Sequence, residues 1–94
     1  MICSLEDLKE KDVINVCNGE NLGYVDDIQL ETNTSAIKSL IIYGKPKYFG
    51  LFGAKENYLI PFERIQLIGK DVILVSLNFN DKKNNMTEFY IKKA

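Results

Sequence analysis

The chain has 94 residues and a formal net charge of −1, with 46% hydrophobic and 27% charged residues. A chain of this length predicts a single domain, and its apolar content excludes an intrinsically disordered protein. The charged fraction is too high for a membrane span, so the composition indicates a soluble globular domain.

The predicted elements are short. Ser4 precedes Leu5 and is followed three residues later by Asp7, a spacing that predicts an N-cap and one helical turn over residues 5–9. From Asp12 onward, β-prone runs alternate with turn residues. We predict six strands, at residues 13–17, 22–31, 36–43, 57–60, 66–68 and 71–76, with a second helical turn at residues 62–65.

Two local patterns refine this assignment. Asn18-Gly19 lies between the first two runs, and both residues tolerate positive φ, which predicts a hairpin turn. Within the second run, Val25 and Ile28 are three positions apart and cannot share one face of a pleated strand. We therefore expect a β-bulge near Asp26 and Asp27.

The run over residues 36–43 carries apolar side chains on both faces, at Ile37, Leu40, Ile41 and Ile42. A strand of this kind must be covered on both sides. The cover is either a barrel interior together with the short helix, or a partner subunit. We predict an all-β fold, a small closed or nearly closed barrel of mostly antiparallel strands, and association into a homodimer.

The longest irregular stretch, residues 44–56, contains the candidate partner-binding residues. Its aromatic side chains would suit a protein interface if exposed, and would plug the barrel end if turned inward. Its lysines alternate with aromatics, as in sites that stack single-stranded nucleic acid, but the chain lacks the bulk positive charge expected of a nucleic-acid-binding protein. The candidate residues are Lys45, Lys47, Tyr48, Phe49, Leu51, Phe52 and Lys55.

The sequence contains no histidine, which removes the imidazole bases and ligands of many enzymes. Cys3 and Cys17 form no C-x-x-C motif, so we expect two free structural thiols, with a redox pair as the alternative. The amino terminus lacks the basic and apolar regions of a signal peptide, which predicts a cytoplasmic location. Asp26 and Asp27 point to opposite faces of a strand and are expected to shape the backbone. We predict no catalytic residues, no cofactor and no metal.

Several ordered blocks resemble the PRC-barrel superfamily and, within it, the sporulation-associated YlmC/YmxH group. The resemblance extends over residues 3–76, and its clearest blocks are Leu22-Gly23-Tyr24-Val25-Asp26-Asp27-Ile28, Phe49-Gly50-Leu51-Phe52-Gly53 and Ile60-Pro61-Phe62-Glu63-Arg64-Ile65. The superfamily fold is a small, mostly antiparallel barrel. Related modules occur at the carboxy terminus of the ribosome maturation factor RimM and in the photosynthetic reaction centre H subunit, and they dock to macromolecules.

The resemblance implies an association with endospore-forming bacteria and brings no enzymatic activity with the fold. We therefore expect a non-enzymatic cytoplasmic adaptor. The adaptor would bind a protein partner, or itself, through the aromatic loop. The alternative is an RNA- or ribosome-associated module that uses the lysines. We assign residues 1–77 to the barrel-like domain and residues 78–94 to a polar extension, either disordered or docked as a last element. Structural roles are expected for Gly19, Gly23, Asp26, Asp27, Pro61 and Gly69.

Overall fold

A computed structural model gives the fold and describes residues 1–43 and 57–78. Within those residues it contains one α-helix, one 3₁₀ helix and seven strands, which confirms the all-β class with little helix. In chain order they are α1 (Leu5–Lys9), β1 (Asp12–Asn15), β2 (Glu20–Tyr24), β3 (Asp27–Glu31), β4 (Ala36–Tyr43), β5 (Asn57–Pro61), the 3₁₀ helix (Phe62–Arg64), β6 (Ile65–Ile68) and β7 (Val72–Val75).

The seven strands form two sheets. The larger has the order β2-β1-β7-β6, and the smaller has the order β3-β4-β5. Neighbouring strands are antiparallel except for β1 and β7, which run parallel. Neither sheet closes on itself among the described strands. The closed barrel therefore stays a prediction, whereas the mostly antiparallel pairing is observed.

The predicted strand over residues 22–31 is two strands, so the predicted count of six is wrong. Strands β2 and β3 belong to different sheets, and buried Val25 lies between them. The backbone N–H of Asp26 donates to the carbonyl of Ile41 at 2.8 Å, as the chain joins the second sheet. The apolar period changes between Val25 and Ile28 because the chain leaves one sheet for the other, and not because of a bulge at Asp26 and Asp27.

One apolar cluster joins both sheets and the helix. Helix α1 contributes its single buried residue, Leu8. Strands contribute alternate residues, as a pleated strand with one face on a core requires. The cluster comprises Leu8, Val13, Leu22, Val25, Leu40, Ile42, Tyr58, Ile60, Ile73, Val75 and Leu77.

The predicted helix cap is confirmed in detail. The Asp7 backbone N–H donates to Ser4 Oγ at 3.1 Å, and the Ser4 backbone N–H donates to Asp7 Oδ2 at 3.1 Å. These reciprocal bonds satisfy two donors that the first helical turn leaves unpaired. The pKa of Asp7 is held below its ordinary value, chiefly by the hydrogen bond that its carboxylate accepts from the Ser4 backbone N–H. The Ser4 hydroxyl and the positive charge of Lys11 lower this pKa further.

A buried amide side chain joins the end of β1 to the chain that follows β7. Asn15 is fully buried, and its Nδ2 donates to the Leu77 carbonyl at 2.8 Å. Its Oδ1 accepts the backbone N–H groups of Leu77 at 3.0 Å and Cys17 at 3.2 Å. The side chain thereby continues the parallel β1–β7 pairing beyond the last residue of each strand.

Candidate interaction surface

The predicted partner-binding residues lie outside the described residues, but the base of their loop does not. Tyr43, the last residue of β4, pairs directly with Asn57, the first residue of β5. Residues 44–56 therefore leave and re-enter the smaller sheet at neighbouring positions. The predicted residues that fall in this stretch are Lys45, Lys47, Tyr48, Phe49, Leu51, Phe52 and Lys55.

Asp26 fixes the departing end of β4. Its Oδ2 accepts the backbone N–H of Tyr43 at 2.7 Å, while its own N–H donates to the Ile41 carbonyl at 2.8 Å. A hydrogen bond to a carboxylate is about twice as strong as a neutral one. The local pattern around Asp26 predicts a bulge and does not indicate this contact, because Asp26 and Tyr43 are distant along the chain.

Asn57 occupies the other side of the loop base. The residue is 7% exposed, and its Oδ1 is buried without a hydrogen bond from any described residue. A buried acceptor left unpaired costs about 1–3 kcal/mol. Among the described residues, the loop base therefore contains one acceptor without a donor, beside a strand end that a carboxylate holds.

Two apolar side chains are exposed at the opposite end of β4. Leu30 pairs directly with Ile37, so the two side chains lie on the same face. The β3–β4 register shifts between Gln29 and Leu30, so this pair shares the face of Ile28 and Leu40 and not that of Ser39 and Ile41. Leu30 is 57% and Ile37 is 36% exposed, whereas Ser39 and Ile41 on the other face are buried.

Phe62 is a further exposed apolar residue, at 50%. It follows Pro61, which pairs with Ser39, and its 3₁₀ helix lies against β4.

The residues expected to have structural roles occupy turns and strand ends. Gly19 has φ +74° and its N–H donates to the Asn15 carbonyl at 2.7 Å. Gly23 has φ +108°, in a region that L side chains rarely adopt, opposite a shift in the β1–β2 register. Gly69 donates to the Val72 carbonyl at 2.7 Å. Pro61 ends β5, and the Asp27 carboxylate accepts the Ile28 N–H.

A polar cleft lies beside helix α1. Its volume is about 300 Å³, and its charged lining includes Asp7, Lys11 and Asp71. Lys11 is 7% exposed, and its ammonium donates to the Lys70 carbonyl. Within residues 1–43 and 57–78, no three acidic or cysteine side chains form a group that could hold a metal ion.

Both cysteines are free thiols. Cys17 is exposed, and its Sγ lies 3.3 Å from Ser76 Oγ. Cys3 is half-buried and lines the cleft beside α1. The prediction of free thiols is confirmed.

No helix in the described part of the chain is both long and apolar enough to cross a membrane. The PRC-barrel domain model matches residues 3–78. The chain is 43% identical over 75 residues to the probable sporulation protein YlmC of Bacillus subtilis, covering 80% of this chain and 93% of that protein. It is 34% identical over 73 residues to an uncharacterized protein of Clostridium acetobutylicum, covering 78% and 83% respectively. The chain belongs to the PRC-barrel domain family.

Proposed function

We propose that this chain is a non-enzymatic, cytoplasmic binding module associated with sporulation, which recognises a protein partner through residues 44–56. Its similarity to the probable sporulation protein of Bacillus subtilis supports the cellular context. The lack of any histidine supports a binding role over acid–base catalysis. Two free thiols in the chain support a reducing compartment.

The anchored loop base is the observation that carries this proposal. The loop connects paired residues, and the carboxylate of Asp26 holds one of them through the Tyr43 N–H. Binding loops work best on a rigid scaffold, because fewer conformations are lost when the partner is bound. Tyr48, Phe49 and Phe52 would act as the aromatic anchors that supply most of an interface's binding energy.

A capture experiment with matched variants tests the proposal. Full-length tagged protein is incubated with extract of sporulating cells, and each retained protein is purified for a direct binding measurement. Phe49→Ser with Phe52→Ser should abolish binding, whereas Lys45→Gln, Lys47→Gln and Lys55→Gln together should preserve it. Binding should also persist between about 50 and 200 mM salt, because it does not depend on phosphate contacts. Urea unfolding confirms that each variant is folded.

Two outcomes would refute this assignment. Equal binding by the wild type and the aromatic variant would exclude the loop as the binding site. Retention of RNA that is lost in the lysine variant and at the higher salt concentration would assign a nucleic-acid-binding module instead.

A further inference from the structure

We propose that Asn18 is a site of spontaneous deamidation, and that opening of the turn between β1 and β2 sets the rate of this modification. Asn18-Gly19 is the one Asn-Gly pair in the 94 residues. The site goes beyond the proposed function, because its turn joins two strands of the larger sheet, whereas the 44–56 loop leaves the smaller sheet. The modification requires water and no enzyme or cofactor.

The reaction takes place within the pair itself. The backbone nitrogen of Gly19 gives up its proton and forms a bond to Cγ of Asn18, while the C–N bond of the side-chain amide breaks. The amide nitrogen leaves as ammonia, having gained that proton, and a five-membered succinimide ring remains. Water then opens the ring at one of its two carbonyl carbons, which yields aspartate or isoaspartate. Glycine favours the attack because it has no Cβ to obstruct it.

Packing does not shield the reacting atoms. Asn18 is exposed, and a Cβ at Gly19 would meet nothing within 4 Å among the described residues beyond its neighbours in the chain. The side-chain amide and the backbone nitrogen are therefore both open to solvent. What protects the pair in the folded state is its hydrogen bonding.

Hydrogen bonds engage both reacting groups in the closed turn. The Gly19 N–H donates to the Asn15 carbonyl at 2.7 Å, so the proton that the nucleophile must lose is held. Asn18 Oδ1 accepts the Glu20 N–H at 2.9 Å, and its Nδ2 donates to Glu20 Oε2 at 3.3 Å. The Gly19 bond must break and the amide must turn away from Glu20 before the attack. The reaction therefore proceeds through the locally opened turn.

The turn is coupled to the buried Asn15 side chain. Oδ1 of Asn15 accepts the N–H of Cys17, which lies in this turn, and the N–H of Leu77. Asn15 thus holds the turn through its side chain at Cys17 and through its carbonyl at Gly19. Isoaspartate lengthens the main chain by one carbon, so the modified turn cannot restore these bonds in their present register. Deamidation would make an opening of the turn permanent.

Mass spectrometry of peptides from the full-length chain, kept at mildly alkaline pH, follows the conversion of each asparagine. In guanidinium chloride, Asn18 should convert faster than the other asparagines. In the native protein it should convert at least about tenfold more slowly than in denaturant. Asn33 is the internal control, since it is also exposed but is followed by β-branched Thr34, which hinders the attack. It should stay largely unconverted under both conditions.

Variants of the two partner residues test the role of the turn. Asn15→Ala and Glu20→Ala should each raise the native rate at Asn18 several-fold and leave the rate in guanidinium chloride nearly unchanged, with urea unfolding confirming that each is folded. Glu31→Ala is the matched control, because its carboxylate accepts the Asn33 N–H in the β3–β4 turn, and it should leave the native rate at Asn18 unchanged.

Three results would overturn the proposal. One is no conversion of Asn18 in guanidinium chloride, which would exclude the site itself. The second is an equal rate in the native and the unfolded protein, and the third is a native rate that neither partner variant changes. Either of these would exclude control by the turn. None of the three bears on partner binding through residues 44–56, so the two proposals fail independently.

Discussion

Replacement of Asn15 by alanine should destabilise the domain more than the small size of the removed side chain suggests. The side chain is fully buried and makes three hydrogen bonds to backbone groups, two of them to Leu77. Leu77 is itself 1% exposed, so its N–H and carbonyl would lose their partners where water has little access. Each unpaired buried group costs about 1–3 kcal/mol, and we expect a total loss of about 3–4 kcal/mol. That is a large fraction of the 5–15 kcal/mol typical of a folded domain.

Urea unfolding of the full-length chain measures this effect, with Asn18→Ala as the matched control. The Asn18 side chain is exposed and accepts a hydrogen bond from the Glu20 N–H at 2.9 Å, so water can take the place of the removed acceptor. We expect its loss to cost less than about 1 kcal/mol. Equal destabilisation by the two variants, with unchanged denaturant dependence, would refute the role assigned to Asn15. Asn15→Asp adds a second test, because only the protonated acid can donate to the Leu77 carbonyl. Its stability should therefore approach that of the wild type as pH falls.

Two further predictions concern helix α1 and the thiols. The pKa of Asp7 is lowered in the folded state, so its contribution to stability is present above the unfolded pKa of about 3.9 and is lost as pH falls through the folded value. The difference in unfolding free energy between the wild type and Asp7→Asn should shrink on acidification, and a difference independent of pH would contradict this. Exposed Cys17 should react with a thiol reagent in the native protein faster than half-buried Cys3, as single Cys→Ser variants would show. A native protein with no reactive thiol before reduction would contradict it.

Features set by neighbouring residues were predictable from the sequence. The spacing of Ser4 and Asp7 specifies the helix cap, since both hydrogen bonds span three residues. The change of apolar period between Val25 and Ile28 marks a real interruption of the strand. Its cause was not predictable, because a bulge within one strand and a transfer between two sheets produce the same local pattern. Only pairing with distant strands distinguishes them.

Features set by distant pairing were missed. Asn15 belongs to a run that predicts a strand, and nothing beside it indicates that its amide reaches residue 77. Asp26 likewise holds Tyr43 only because β3 and β4 are neighbours in the smaller sheet. The composition of residues 44–56 indicated a binding loop, but the burial of the Asn57 acceptor at its base, which no described residue pairs, depends on packing that the sequence does not reveal.

Strand β4 ties the loop proposed for binding to the core. Its last residue, Tyr43, pairs with Asn57 and forms the loop base. Leu40 and Ile42 precede Tyr43 and are buried in the core, so this end of the strand cannot shift without disrupting packing. A loop that departs from a fixed strand end loses fewer conformations when a partner is bound than one that departs from a mobile end. The buried half of β4 therefore contributes to recognition although none of its core side chains would touch the partner.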